Sequence, residues 1–141
     1  FDTGDGLAID DSAVRSKLAT WAVRTSGLRY TAYRSISALS KGETPGPENS
    51  IGKLVAGQTL QEIAMFALDL QGQAGALMDP TLVEASARFQ AMLLRSPATR
   101  IEGGTDEILR NIIAERVLGL PADMRADRGM PFNKIPARKA G

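Results

Sequence analysis

From Asp11 to Lys41 one spacing repeats along the chain. Val14, Leu18, Trp21, Thr25, Leu28, Ala32, Ile36 and Leu39 follow one another at steps of three and four residues. At about 100° per residue they fall in a stripe roughly 80° wide. Residues 11–41 are therefore expected to form a single helix, about 45 Å long. So narrow a stripe on so long a helix needs antiparallel neighbours, which points to an all-α bundle. Asp10 or Asp11 stands at the N-cap, and Gly27 is the weak point of the helix.

The remaining segments supply the neighbours. Residues 42–49 (GETPGPEN) break the pattern with Pro and Gly. Asn49 or Ser50 then caps a second helix running to about Gln71. Its Ile51, Leu54, Val55, Leu60, Ile63, Phe66, Ala67 and Leu70 cover more than one face, as in a helix packed on several sides at the centre of a bundle. Residues 72–78 (GQAGALM) read as a loop. Asp79-Pro80 reads as an N-cap with Pro at the first helical position. A third, shorter helix follows with Leu82, Ala85, Phe89, Met92 and Leu93 inward, and stops near Ser96-Pro97. Thr105 caps a fourth, with Asp106 and Glu107 in its positive first turn. Ile108, Leu109, Ile112, Ile113 and Val117 are its expected buried face, and Gly119 and Pro121 its stop. The expected organisation is a linker or loop over 1–10, an antiparallel four-helix bundle over 11–120, and an extended basic tail over 121–141 that orders only on a partner.

Composition then removes whole classes of chemistry. With 17 basic against 16 acidic residues, bulk charge does not drive the chain onto a polyanion. Arg15, Lys17, Arg24, Arg29 and Arg34 scatter around the polar side of the first helix, and Tyr30 and Tyr33 are too few for a base-stacking platform. No nucleic acid partner is expected. There is no Cys, hence no disulfide or thiolate metal site, and no His, hence no His-based triad. No stretch is long enough to span a membrane, and the acidic, Gly-containing first ten residues are not a leader, so a cytoplasmic protein is expected. The first residue is Phe, so the chain is processed or part of something longer. Residues 46–53 (GPENSIGK) imitate a phosphate loop, but five residues separate Gly46 from Gly52 instead of four, and Leu54 stands where a magnesium-binding hydroxyl belongs.

Three places can carry chemistry. At Gly103-Gly104-Thr105 the glycines let backbone approach a ligand, and the helix N-terminus that follows favours an anion such as a pyrophosphate. A plain capped turn fits the same residues. Glu102 beside it is a candidate base. Asp69, within an otherwise apolar run, is an ion-pair member or a cofactor contact.

Residues 101–121 (IEGGTDEILRNIIAERVLGLP) strongly resemble the C-terminal segment of acyl-CoA dehydrogenases, and residues 50–77 resemble that family's penultimate long helix and glycine turn more loosely. The likeness runs from about residue 11 to residue 121. It implies most of the C-terminal four-helix domain of an FAD flavoprotein, without the first helix of that domain, since residues 11–41 match the second. Family members oxidise an acyl-CoA thioester to the 2-enoyl-CoA: a carboxylate removes the α-proton and the flavin accepts a hydride from the β-carbon. By this resemblance Thr105, with Gly104 beside it, contacts the flavin, and Glu107 lies near it. Gly72 and Gly75 match a turn that meets the adenosine end of FAD from a neighbouring subunit. Asp69 stands where many members have a Gln that contacts FAD, and Gln73 where many have Gly. The usual catalytic Glu position is Gly103 here, with Glu102 one residue earlier. One subset of the family carries the base on the first helix of the domain, and another pairs non-catalytic with catalytic subunits. The resemblance thus implies FAD, an acyl-CoA substrate and a homo- or hetero-oligomer, with this chain inactive alone and no metal.

Overall fold

The computed structural model describes residues 6–82, 87–122 and 129–135. Four α-helices and short 3₁₀ turns make up the fold, with no strand among the described residues. The helices are α1 (Ser12–Ser40), α2 (Asn49–Leu70), α3 (Arg88–Thr99) and α4 (Asp106–Ile112). As expected, α2 is central: it packs against α1, α3 and α4. All eight of its expected core residues are half-buried.

α1 begins where the sequence places its cap, with the Asp11 carboxylate accepting the Ala13 amide at 2.6 Å. It runs antiparallel to α2. Near its start Val14 and Trp21 are buried, and the Trp21 ring meets Phe66 edge-on at 5.4 Å. The indole N–H donates to Glu62 at 3.4 Å, and Arg24 pairs with the same carboxylate at 2.5 Å. The stripe departs from expectation at Leu18, 44% exposed, and through its outer half: Thr25 and Ala32 are exposed, and Ile36 and Leu39 are each 58% exposed. What α1 buries there is Ser35, off the stripe, donating to Asn49 Oδ1 at 2.6 Å.

That bond explains a second correction. Neither Asn49 nor Ser50 caps α2. The Asn49 side chain is taken by Ser35, and the first turn is closed by backbone bonds from Ser50 to Pro47 and from Ile51 to Glu48, each 3.0 Å. Beyond α2, Gly72–Ala76 is a 3₁₀ turn rather than an open loop. Gly72 reverses the chain at φ +54°.

The third helix differs at both ends. Asp79 does accept the Thr81 amide at 2.9 Å and hydroxyl at 2.6 Å, bonds that hold its carboxyl below the usual range. They close only a turn, and α3 starts later, at Arg88. Leu82 is exposed, and Ala85 lies outside the described residues. At the far end α3 passes through Pro97 to Thr99. Pro has no amide for the Leu93 carbonyl, and the buried Ser96 hydroxyl donates to that carbonyl instead, at 2.8 Å.

α4 loosens into a π-type turn over Ile113–Val117 and ends at Gly119, φ +69°. Of its expected buried face only Leu109 is buried, while Ile108 and Val117 are exposed. In the expected linker, Ala8–Asp10 forms a 3₁₀ turn with Ala8 buried. In the expected tail, Phe132–Lys134 forms another, while residues 123–128 and 136–141 lie outside the described residues. No helix among the described residues is long and apolar enough to cross a membrane.

Candidate functional site

The site is built on the return from α3 to α4. Gly103 and Gly104 both have positive φ, +66° and +114°, a backbone that side-chain-bearing residues rarely adopt. The pair turns the chain so that Thr105 enters α4 in extended geometry, its hydroxyl accepting the Ile108 amide at 3.3 Å. Glu107 bonds to its own amide and to the Thr105 side chain, which holds its carboxyl below the ordinary value. The N-terminus of α4 therefore already carries two acceptors from its own chain, which weakens the case for an external pyrophosphate there.

Behind the turn lies a charged cluster anchored on α2. Asp106 is buried. Arg100 donates to its Oδ2 from Nε at 2.8 Å and from Nη2 at 2.5 Å, and from Nη1 to Gln61 Oε1 at 2.6 Å. The Arg100 bonds hold the Asp106 carboxyl below its usual range, against burial, which pushes it up. One helical turn before Gln61, Gly57 lets α3 close on α2: a Cβ there would stand 3.4 Å from Arg100 Cγ. One further turn back, the Lys53 ammonium donates to the Gly104 carbonyl at 2.6 Å and the Thr99 carbonyl at 3.3 Å.

The structure gathers some of the expected site residues and separates others. Thr105 and Glu107 line one cleft of about 250 Å³, with Asp106, Arg100, Gln61 and Ile101. Gly104 adjoins it in sequence. Glu102 does not line it. Its carboxylate makes a bidentate pair with Arg95, both bonds 2.8 Å, and both side chains are more than half exposed. Asp69, Gly72 and Gln73 are exposed at the other end of α2, with Asp69 roughly 25 Å along the helix from Lys53. Being exposed, Asp69 needs no buried partner. In the sequence Lys53 stands out only within the phosphate-loop imitation, and neither Gln61 nor Arg100 stands out. The available signal was the four-residue step Lys53, Gly57, Gln61, one face of α2 that is not apolar.

A family model described as "Acyl-CoA dehydrogenase, C-terminal domain" matches residues 2–118. The chain belongs to the acyl-CoA dehydrogenase family. It is 35% identical over 118 residues to the acyl-CoA dehydrogenase IpdE1 of Mycolicibacterium smegmatis, covering 84% of this chain and 28% of that protein. It is 37% identical over 121 residues to IpdE1 of Mycobacterium tuberculosis, covering 84% of this chain and 29% of that protein. The chain thus spans under a third of the length of these acyl-CoA dehydrogenases. Among solved structures, the ChsE4–ChsE5 complex of Mycobacterium tuberculosis matches with a TM-score of 0.69 at 25% identity, over 80% of this chain and 29% of the other.

Proposed function

We propose that this chain acts as the C-terminal helical domain of an FAD-dependent acyl-CoA dehydrogenase, which oxidises an acyl-CoA to the 2-enoyl-CoA in the cytoplasm. Its part is to contact the flavin through the turn at Thr105 and to build a subunit interface. The observation that carries this reading is the double-glycine turn, tied to α2 and presenting Thr105 into an open cleft.

The residues fit a flavin. The Thr105 hydroxyl accepts the Ile108 amide and donates its proton to the Glu107 carboxylate, so that proton reaches an acceptor on a flavin ring when Glu107 turns away. At the far end of α2, Gly72 has open space around it, where a bound group or a neighbouring subunit can approach. FAD, when bound, supplies the hydride acceptor. The distance between the two ends of α2 suits a domain whose Thr105 end serves one FAD while its Asp69, Gly72 and Gln73 end meets another, across an oligomer.

A second reading has a specific observation behind it: a non-catalytic partner subunit in a hetero-oligomer. Gly103 occupies the usual base position, and Glu102 is held by Arg95 outside the cleft. The ChsE4–ChsE5 neighbour is itself described as a complex. If Glu102 is not the base, the α-proton is taken by a carboxylate elsewhere in the longer protein or on its partner.

The test is the visible spectrum of the full-length protein, followed by a panel of acyl-CoAs without oxygen. Bound flavin that bleaches supports the dehydrogenase. Bleaching only with an added partner supports the second reading. No flavin even with added FAD overturns the dehydrogenase reading and leaves a non-catalytic helical scaffold. Thr105→Ala is expected to weaken FAD retention beyond the loss of a helix cap, about 1 kcal/mol.

A further inference from the structure

We infer that Lys53 is a positioning residue for the flavin-contacting turn: its ammonium fixes the Gly104 carbonyl, and with it the place where Thr105 is presented. The inference rests on the flavoprotein reading of Thr105 and adds a residue to it.

Thr105 is held through both of its neighbours in sequence. On one side the Gly104 carbonyl accepts from Lys53 at 2.6 Å. On the other the buried Asp106 carboxylate is gripped by Arg100, which is itself anchored on Gln61. Both anchors, Lys53 and Gln61, sit on one face of α2 at a spacing of two helical turns, with Gly57 between them making room. The Arg100–Asp106 side is rigid by charge and burial. The Gly103-Gly104 side is not rigid by itself, because two glycines at positive φ have the most conformational freedom the backbone allows. Lys53 supplies what that side lacks.

The ammonium is committed to this task. It is half-buried and forms no carboxylate ion pair among the described residues. Its second bond, to the Thr99 carbonyl at 3.3 Å, lies at the negative C-terminal end of α3, where a cation is favoured. One cation therefore joins the end of α3, the glycine turn and α2.

The experiment uses the full-length protein. Lys53→Met keeps most of the aliphatic stem and removes the donors. Expected are FAD binding weakened about tenfold in a fluorescence titration, in line with the loss of charged hydrogen bonds, and faster amide exchange at Ile108 in the apoprotein, with the apoprotein melting near the parent. Lys53→Cys followed by aminoethylation, which restores an ammonium at that place, should recover FAD affinity against an identically treated parent. Where Lys53→Met does not fold, Lys53→Gln, which keeps one donor group, carries the same test. A parent that binds FAD and a variant that binds it equally well overturn the inference alone. So does an affinity loss that aminoethylation fails to reverse. A parent that binds no FAD overturns the flavoprotein reading, and this one with it.

Discussion

Asp106 is a carboxylate only 3% exposed, and its charge is answered first by the Arg100 guanidinium, with a Gln58 hydrogen bond and the Arg110 charge as smaller supports. Its carboxyl titrates below the ordinary value in the fold, chiefly because Arg100 bonds to the ionised form. The stabilisation is therefore fully present above the ordinary carboxylate range and is lost as pH falls through the lowered folded value. Asp106→Asn should flatten that part of the acid-unfolding profile. Arg100→Met should be the more damaging change at neutral pH, on the order of 2–3 kcal/mol, because it leaves a buried carboxylate without its ion pair and with only Gln58 and the Arg110 charge to support it. The figure stays below the fully buried case because the Arg100 side chain is 37% exposed. Urea midpoints at neutral pH and near pH 3 check both; equal acid sensitivity of Asp106→Asn and parent would refute the assignment. At this scale the sequence was half legible. Asp106 reads as a dipole partner at a helix start, which it is by position. Its ion pair was not readable, because two glycines between Arg100 and Asp106 must fold the chain back before the two can meet.

At the scale of elements, the glycines separate what a turn needs from what it tolerates. Gly27 lies mid-helix in α1, exposed, with no atom within 4 Å of an added Cβ. Gly27→Ala should stabilise by about 1 kcal/mol. Gly75 is the opposite case: a Cβ there would stand 2.6 Å from the Leu68 carbonyl oxygen, backbone that cannot swing aside. Gly75→Ala should cost about 2–3 kcal/mol and displace the 3₁₀ turn. Gly72→Ala meets no atoms but keeps φ +54°, and should cost only about 1 kcal/mol. Thermal melts of the three variants give the order, and Gly75→Ala melting with Gly72→Ala would count against the close approach. Helix number, class and the central place of α2 were legible because periodicity reports them directly. The ends were less so, since they depend on which side chain takes each free backbone group. Ser96 lets α3 run through a Pro that reads as a stop, and Ser35 occupies the Asn49 that reads as a cap.

At the scale of the molecule, the outer half of α1 poses a question the chain does not answer by itself. The stripe over residues 11–41 keeps its spacing to Leu39, yet packing against α2 uses only its first half: Val14 and Trp21 are buried, while Ile36 and Leu39 stand open beside Tyr33. An apolar stripe that is bare in the fold is a surface of the kind that interfaces use. The proposed subunit interface predicts that the cover is a second subunit. In the full-length protein, Ile36→Lys with Leu39→Lys should lower the oligomer mass in sedimentation velocity, and leave the melting of the dissociated subunit near that of the parent, because neither side chain is buried within this chain. The alternative makes the opposite prediction. If a segment of the longer protein lies on the stripe, two buried lysines should lower the melting temperature by several degrees and leave the mass unchanged. A double variant that alters neither mass nor melting would mean that the stripe is solvated in the assembled protein, and that its spacing reflects helix formation alone.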